Sequence, residues 1–283
     1  MAGQAFKDCP KTVSGLFRDF RFFAERFLRF TIKIKLNNMP PYAIETFDLT
    51  KRFNEHTAVD RLNLRVEEGT IHSLLGPNGA GKTTVLNMLS GILKPTGGSA
   101  KILGYDVEKE PEKAKSLVGY LPEEPQIYEI LTVKEFLRLI GRAYSVPKGD
   151  LEVRIDEYLK LFDLNRVEQV FCGALSHGMK QRVVVCSVLI HNPKVILLDE
   201  PFYGLDPATG RLFRDLLKDK MAGGATILVS THILEIAERF NGKVTILNES
   251  KVVAEGTLED LREKAGASGD STLEDVFLAL TER

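Results

Sequence analysis

The sequence predicts an α/β protein with a mostly parallel core sheet, a small antiparallel β subdomain and an inserted helical subdomain, and three observations carry that expectation. From Tyr42 onward apolar residues alternate in short runs (Ala43, Ile44, Phe47, Leu49; then Leu62, Leu64, Val66), the period of antiparallel strands with one buried face. From Leu74 the pattern changes to buried-looking apolar runs, Val195 to Leu198, Thr226 to Val229 and Val244 to Leu247, separated by helical stretches. Strands covered on both faces read that way, and their alternation with helices predicts a parallel sheet. Between Gly119 and about Gln181 the strands give way to consecutive helical segments, starting at Thr132, whose partner Glu135 fits a capping box.

At 283 residues and 43% hydrophobic content, the chain can bury a substantial core, as one large domain or a core with a satellite lobe. Its longest apolar stretch, Val183 to Ile190 with Ser187 inside it, falls far short of the roughly 18 residues that a bilayer span needs. The chain is therefore not expected to form a membrane channel by itself. Cys9, Cys172 and Cys186 lie far apart without metal-ligand spacing, and an odd number with no signal peptide points to packing residues in a reducing compartment. The formal net charge of −1 hides an asymmetry: residues 1–38 carry eight Lys/Arg against three Asp/Glu, so the remainder is at −6. An acidic body argues against nucleic acid as the main partner.

After the apolar run Thr70 to Leu75 comes Gly76-Pro77-Asn78-Gly79-Ala80-Gly81-Lys82-Thr83-Thr84, the pattern G-x-x-x-x-G-K-T between a strand and a helix. That context makes it a phosphate-binding loop. The glycines let successive N–H groups turn inward on a polyphosphate, and the helix N-terminus adds partial positive charge. Lys82 supplies a cation to the β and γ phosphates, and the Thr83 hydroxyl is a Mg²⁺ ligand. The implied ligand is a nucleoside triphosphate. Val195 to Leu198 then runs into Asp199 and Glu200, two acids at the end of a buried strand. An acid buried there costs several kcal/mol unless it is paired or metal-bound, so Asp199 is expected to hold Mg²⁺ and Glu200 to deprotonate the attacking water. No Asn-Lys-x-Asp guanine-reading motif occurs in the chain, which weakens a GTPase reading.

Further motifs in order give the sequence a resemblance to the ATP-binding cassette (ABC) family across nearly all of residues 41–282. Leu175-Ser176-His177-Gly178-Met179-Lys180-Gln181-Arg182 resembles the family's signature motif, with Ser176 placed 23 residues before Asp199. Tyr203-Gly204-Leu205-Asp206-Pro207 resembles the loop that crosses the dimer seam, and Ser230-Thr231-His232 the switch-histidine segment. The resemblance implies a P-loop NTPase cassette at 41–270 with its helical subdomain at about 120–182, followed by a carboxy-terminal helix at 271–283 packed on it. It also implies ATPase activity with ATP and Mg²⁺, and a homodimer or heterodimer in which Ser176 and Gly178 close over the ATP held by the other subunit. His232 is expected to touch the γ-phosphate. Phe53 matches the position of the adenine-stacking ring, although a core phenylalanine is the competing reading.

The chain departs from the family at three positions. Glu123 stands where glutamine is usual; a carboxylate still binds Mg²⁺ but adds negative charge beside the phosphates. His177 and Met179 replace the usual glycine and glutamine, an expected retuning of dimer closure with Ser176 and Gly178 retained. With one cassette, the chain resembles the ATPase subunits of exporters, an expectation reinforced by Gly256 to Leu261 and Ser271 to Thr281. The resemblance implies an integral-membrane permease as partner, a docking groove around residues 123–139, and peripheral placement at the cytoplasmic face of the cell membrane. The alternative is a soluble ABC ATPase acting on ribosomes or nucleic acid. Residues 1–40 lie outside the resemblance: Leu16, Phe20, Phe23, Phe27, Phe30 and Ile34 recur at helical spacing among arginines. Three readings stand for this basic aromatic arm: contact with membrane or permease, packing on the domain, or a gene-model extension preceding a true start at Met39.

Overall fold

The computed structural model describes residues 42–268 and 271–281; the unit to which they belong begins at Pro41. The expectations for the basic arm and for Cys9 lie outside the described residues. The alternating amino-terminal segment forms β1 (Tyr42–Phe53), β2 (His56–Leu62) and β3 (Arg65–Glu67), to which β5 (Gly97–Ile102) and β6 (Tyr105–Asp106) add. They make an antiparallel sheet in the order β2-β1-β5-β6, with β3 also on β1. Ile44 of β1 lies opposite both Val66 and Ile102, and all three side chains are buried, so the alternation read from the sequence becomes one apolar face. A two-residue turn joins β1 to β2, pairing Phe53 with His56 and holding Asn54 in the left-handed region.

The second sheet has the order β11-β10-β4-β9-β8-β7, built from β4 (Ile71–Leu75), β7 (Val118–Leu121), β8 (Val195–Asp199), β9 (Thr226–Thr231), β10 (Lys243–Asn248) and β11 (Lys251–Gly256). Every pairing is parallel except the β10–β11 hairpin. All residues of β4, β8 and β9 are buried. Their apolar runs divide by strand period between two cores: Ile196 and Leu198 face one, Val195 and Leu197 the other. Each such side chain contributes about 1.5–3 kcal/mol by leaving water.

One strand differs from the expectation. The sequence predicts no strand from Gly119 onward, yet β7 covers Val118–Leu121 and pairs with β8. It is short, and it contains Gly119 because α5 (His177–Leu189) and Pro193 press on the backbone: a Cβ there would lie 2.8 Å from the Val188 carbonyl oxygen and the Pro193 ring. The helical segment proper consists of α3 (Val133–Ala143) and α4 (Lys148–Leu161), leading to α5. Thr132 and Glu135 form the reciprocal capping box at the start of α3. Phe136, Leu137, Leu151, Ile155 and Leu159 bury one face of each helix against α5, in a core that also takes Cys172 and Cys186 as buried free thiols. Burial pushes the Cys186 thiol pKa up, as expected for an inert packing residue.

The remaining helices are α1 (Lys82–Leu89), α2 (Pro111–Ser116), α6 (Pro207–Ala222), α7 (Leu234–Phe240), α8 (Leu258–Ala265) and α9 (Leu273–Thr281). Leu273 and Val276 of α9 join Leu261 of α8 and Leu75, Val244 and Ile246 of the sheet in a third core cluster. Among the described residues, no helix is long and apolar enough to cross a membrane.

Candidate nucleotide site

The loop Gly76 to Gly81 leaves the carboxyl end of β4 and delivers the chain into α1. Gly81 occupies the N-cap with φ +102, and a Cβ there would lie 2.3 Å from the Ala58 carbonyl oxygen. Only glycine meets both conditions. No side chain caps α1, so the first-turn N–H groups remain available to an anion together with the helix dipole. Lys82 folds back over the loop, its Nζ donating to the carbonyls of Gly76 (2.7 Å) and Pro77 (3.1 Å) and lying 4.0 Å from Glu200 Oε1. Burial lowers its pKa, against the opposing pull of Glu200, Asp199 and Glu123.

A cleft of about 410 Å³ opens over this loop, lined by Phe53, His56, Ala58, Asn78, Gly79, Gly81, Lys82, Thr83, Thr84, Glu123, Asp199 and Glu200. Gly76 and Pro77 reach it through their hold on Lys82, and Ala80 is buried in the core. Phe53 is 45% exposed at the rim with Lys51 Nζ 5.1 Å from its ring centre, so the core-packing alternative for this residue is overturned. Ser176, exposed at the N-cap of α5, and Gly178 do not line the cleft of their own chain.

Asp199 and Glu200 end β8, and β9 beside them supplies three consecutive partners. Ser230 Oγ donates to Asp199 Oδ1. Thr231 Oγ1 donates to Glu200 Oε2 at 3.0 Å, and the His232 N–H to Glu200 Oε1 at 2.9 Å; the His232 Nδ1 lies 2.8 Å from the same oxygen. Glu200 sits in the left-handed region at φ 44, a strained conformation for a non-glycine residue, held by these bonds. Asp199 is 1% exposed, and its Oδ2 is buried with no hydrogen-bond partner. Burial raises its pKa, opposed by the hydroxyls of Ser230 and Thr83.

These residues fit a hard divalent cation. A buried, unpartnered carboxylate oxygen and a threonine hydroxyl share the cleft with Glu123, and all the donors are oxygen. Among the described residues, no three His, Cys, Asp or Glu side chains cluster closely enough to hold an ion alone. That fits an ion completed by phosphate oxygens and water. His56, Ser230 and Thr231 were not anticipated as site residues. The Phe53–Asn54–Glu55–His56 hairpin was a readable signal for the first; the other two depend on which strand pairs with β8.

A second cleft, of about 720 Å³, separates the helical segment from the sheet. It shares Thr83, Glu123 and Asp199 with the first and is lined by Ile92, Ile127, Tyr128, Phe136, Ile140, Tyr144 and His191 among others.

The model of the family described as ABC transporter matches residues 59–203, and one described as AAA domain, putative AbiEii toxin, Type IV TA system matches 173–238. The ABC-type transporter ATP-binding protein EcsA of Bacillus subtilis is 36% identical over 235 residues, covering 83% of this chain and 95% of that protein. The daunorubicin resistance ATP-binding protein DrrA2 of Streptomyces coeruleorubidus is 34% identical over 228 residues, covering 81% and 71%. Among solved structures, an ATP-binding subunit of an ABC transporter superposes with a TM-score of 0.80 at 35% identity, over 84% of this chain and 99% of the other. A dimeric post-hydrolysis ATP-binding cassette bound to ADP and Pi gives 0.69 at 29% identity, over 76% and 98%.

Proposed function

The chain belongs to the ABC transporter family as an ATP-binding, ATP-hydrolysing subunit, and on that premise we propose that it drives an exporter by closing as a dimer on ATP and moving a separate permease. The observation that carries this reading is the convergence, in one cleft, of the buried Lys82 at the start of α1, the unpartnered Asp199 Oδ2 and the strained Glu200.

In this mechanism Lys82 exchanges the Gly76 and Pro77 carbonyls for the β and γ phosphates, while the first-turn N–H groups of α1 take the remaining oxygens. Phe53 stacks on the adenine. Thr83 and Asp199 Oδ2 would hold Mg²⁺, with Glu123 beside them. When bound, that ion would supply positive charge against the charge that develops on the phosphates. Glu200 accepts the proton of the attacking water; Thr231 and the His232 N–H fix the carboxylate, and the His232 ring positions the water against the γ-phosphate. The α5 N-terminus of a second subunit, through Ser176 and Gly178, closes over the same phosphate, so cleavage removes what joins the two subunits. The second subunit is an identical copy or a close relative.

The second cleft suits a short helix of the permease, offering apolar Ile92, Tyr128 and Tyr144 above Glu123, and this subunit would work peripherally at the cytoplasmic face. The drug-resistance function in the name of DrrA2 supports export. The test is Glu200→Gln, which keeps shape but removes the base. Turnover falls by about a hundredfold or more, and the variant is isolated as an ATP-bound dimer by size exclusion. Normal turnover in this variant rules out Glu200 as the base.

A further inference from the structure

The hairpin that carries Phe53 brings a second ring to the same end of the cleft. A two-residue turn joins β1 to β2, and Phe53 and His56 stand directly opposite each other across it. Residues paired in this way project to one face of a sheet with Cβ atoms about 5 Å apart, and both line the nucleotide cleft. One face of the Phe53 ring is taken: Lys51 Nζ, anchored by donating to the Lys94 carbonyl at 2.7 Å, lies 5.1 Å from the ring centre. The other face is left for a base. His56 is exposed, and among the described residues its ring has no hydrogen-bond or ion-pair partner.

β2 also fixes the direction in which a nucleotide lies. Ala58 abuts the phosphate loop, where a Cβ on Gly81 would lie 2.3 Å from the Ala58 carbonyl oxygen. His56 stands two positions farther from that loop along the strand, about 7 Å at the usual rise. Ser250 holds the strand at two points, its Oγ donating to the Thr57 carbonyl at 2.7 Å and its own carbonyl accepting the Asp60 N–H at 2.9 Å. With phosphates on Gly79 to Thr84 and the base on Phe53, the edge of the base farthest from the ribose points toward His56. A purine, with its second ring, reaches farther from the ribose than a pyrimidine does.

We propose that His56 is a specificity-determining residue that meets the far edge of a purine and sets a preference for purine over pyrimidine nucleoside triphosphates. The inference rests on the reading above in which Phe53 stacks on the base. Stacking by itself tolerates any base, because each has a π face; discrimination needs a contact that one class of base makes and the other does not. An imidazole can donate or accept, so the far edges of adenine and guanine are both suitable, and selection falls on the reach of the base rather than on one purine.

The experiment measures kcat/KM with ATP, GTP, CTP and UTP, each with Mg²⁺, for the wild type, His56→Ala, His56→Gln and Phe53→Ala, with melting temperature confirming that each folds. The wild type favours the two purine nucleotides. In His56→Ala that preference narrows by about three- to tenfold, the worth of one hydrogen bond, through a loss on ATP and GTP that CTP and UTP do not share. The glutamine of His56→Gln also donates and accepts, and restores part of the preference. A wild type without a purine preference, an equal loss on all four nucleotides in His56→Ala, or no recovery in His56→Gln each overturn the proposal. Phe53→Ala tests the premise separately: if it leaves all four nucleotides unaffected the stacking reading falls, whereas a general loss there with an unchanged purine preference in His56→Ala sinks this inference alone.

Discussion

Replacing Asp199 by Asn should stabilise the nucleotide-free protein while removing its response to Mg-ATP. The carboxylate is 1% exposed; Oδ1 has the Ser230 hydroxyl and Oδ2 has no partner. An unsatisfied buried polar atom costs about 1–3 kcal/mol, more when charged. The amide keeps an acceptor for Ser230 and removes the charge, while its NH₂ takes the unpartnered place of Oδ2; the gain is therefore that of the charge alone, about 1–3 kcal/mol, or roughly 2–10 °C in melting temperature for a domain of this size. Burial holds the Asp199 pKa above its ordinary 3.8. The folded state thus binds this proton more tightly than the unfolded chain, so the penalty is absent below about pH 3.8, grows as pH rises from there to the shifted value and is complete above it. Calorimetry at pH 7 with chelator and no nucleotide should show the rise, and the same comparison at acidic pH a smaller one. Adding Mg-ATP at about a hundred times its Kd stabilises the wild type by about 2.7 kcal/mol and the variant by much less. A melting temperature that falls or stays level in the chelated protein means that the Asp199 charge is already compensated without an ion, and the argument for a metal at this oxygen fails.

Phe53→Ala should raise KM for ATP about tenfold, from a stacking contribution of about 1–3 kcal/mol, with kcat little changed and Phe53→Tyr restoring KM; a loss confined to kcat contradicts the stacking role. Thr132→Ala removes one side of the α3 capping box and should lower stability by about 1 kcal/mol, read as a drop of roughly 2–4 °C in melting temperature; no change would show that the box adds nothing to the fold. Burial lowers the His72 pKa from 6.5 to about 4, so the folded state resists its protonation, and stability present above pH 6.5 is lost as pH falls toward 4. That window is worth roughly 3 kcal/mol, and His72→Gln should flatten the slope of unfolding free energy against pH across it; an unaltered slope assigns the acid sensitivity to other groups.

Contiguity decided what the sequence alone determined. Gly76 to Thr84 and Asp199-Glu200 are runs of neighbouring residues whose backbone path is set locally, by glycine at φ +102 and by the end of a fully buried strand, so their chemistry was readable before any packing was known. The capping box at Thr132 and the division into an antiparallel sheet, a parallel sheet and a helical segment followed for the same reason, because periodicity and capping act within a few residues. Only the tertiary structure could decide the rest. Ser230, Thr231 and His232 reach Asp199 and Glu200 because β9 pairs with β8 in the register Asp199–Ser230, a relation between segments 31 residues apart. The four residues of β7 are too few to show a period and count as a strand only because β8 lies beside them. Likewise the orphaned oxygen of Asp199 and the return of Lys82 to its own loop depend on which surfaces exclude water from which groups. Burial is a property of the packed whole, and no single stretch of chain contains it.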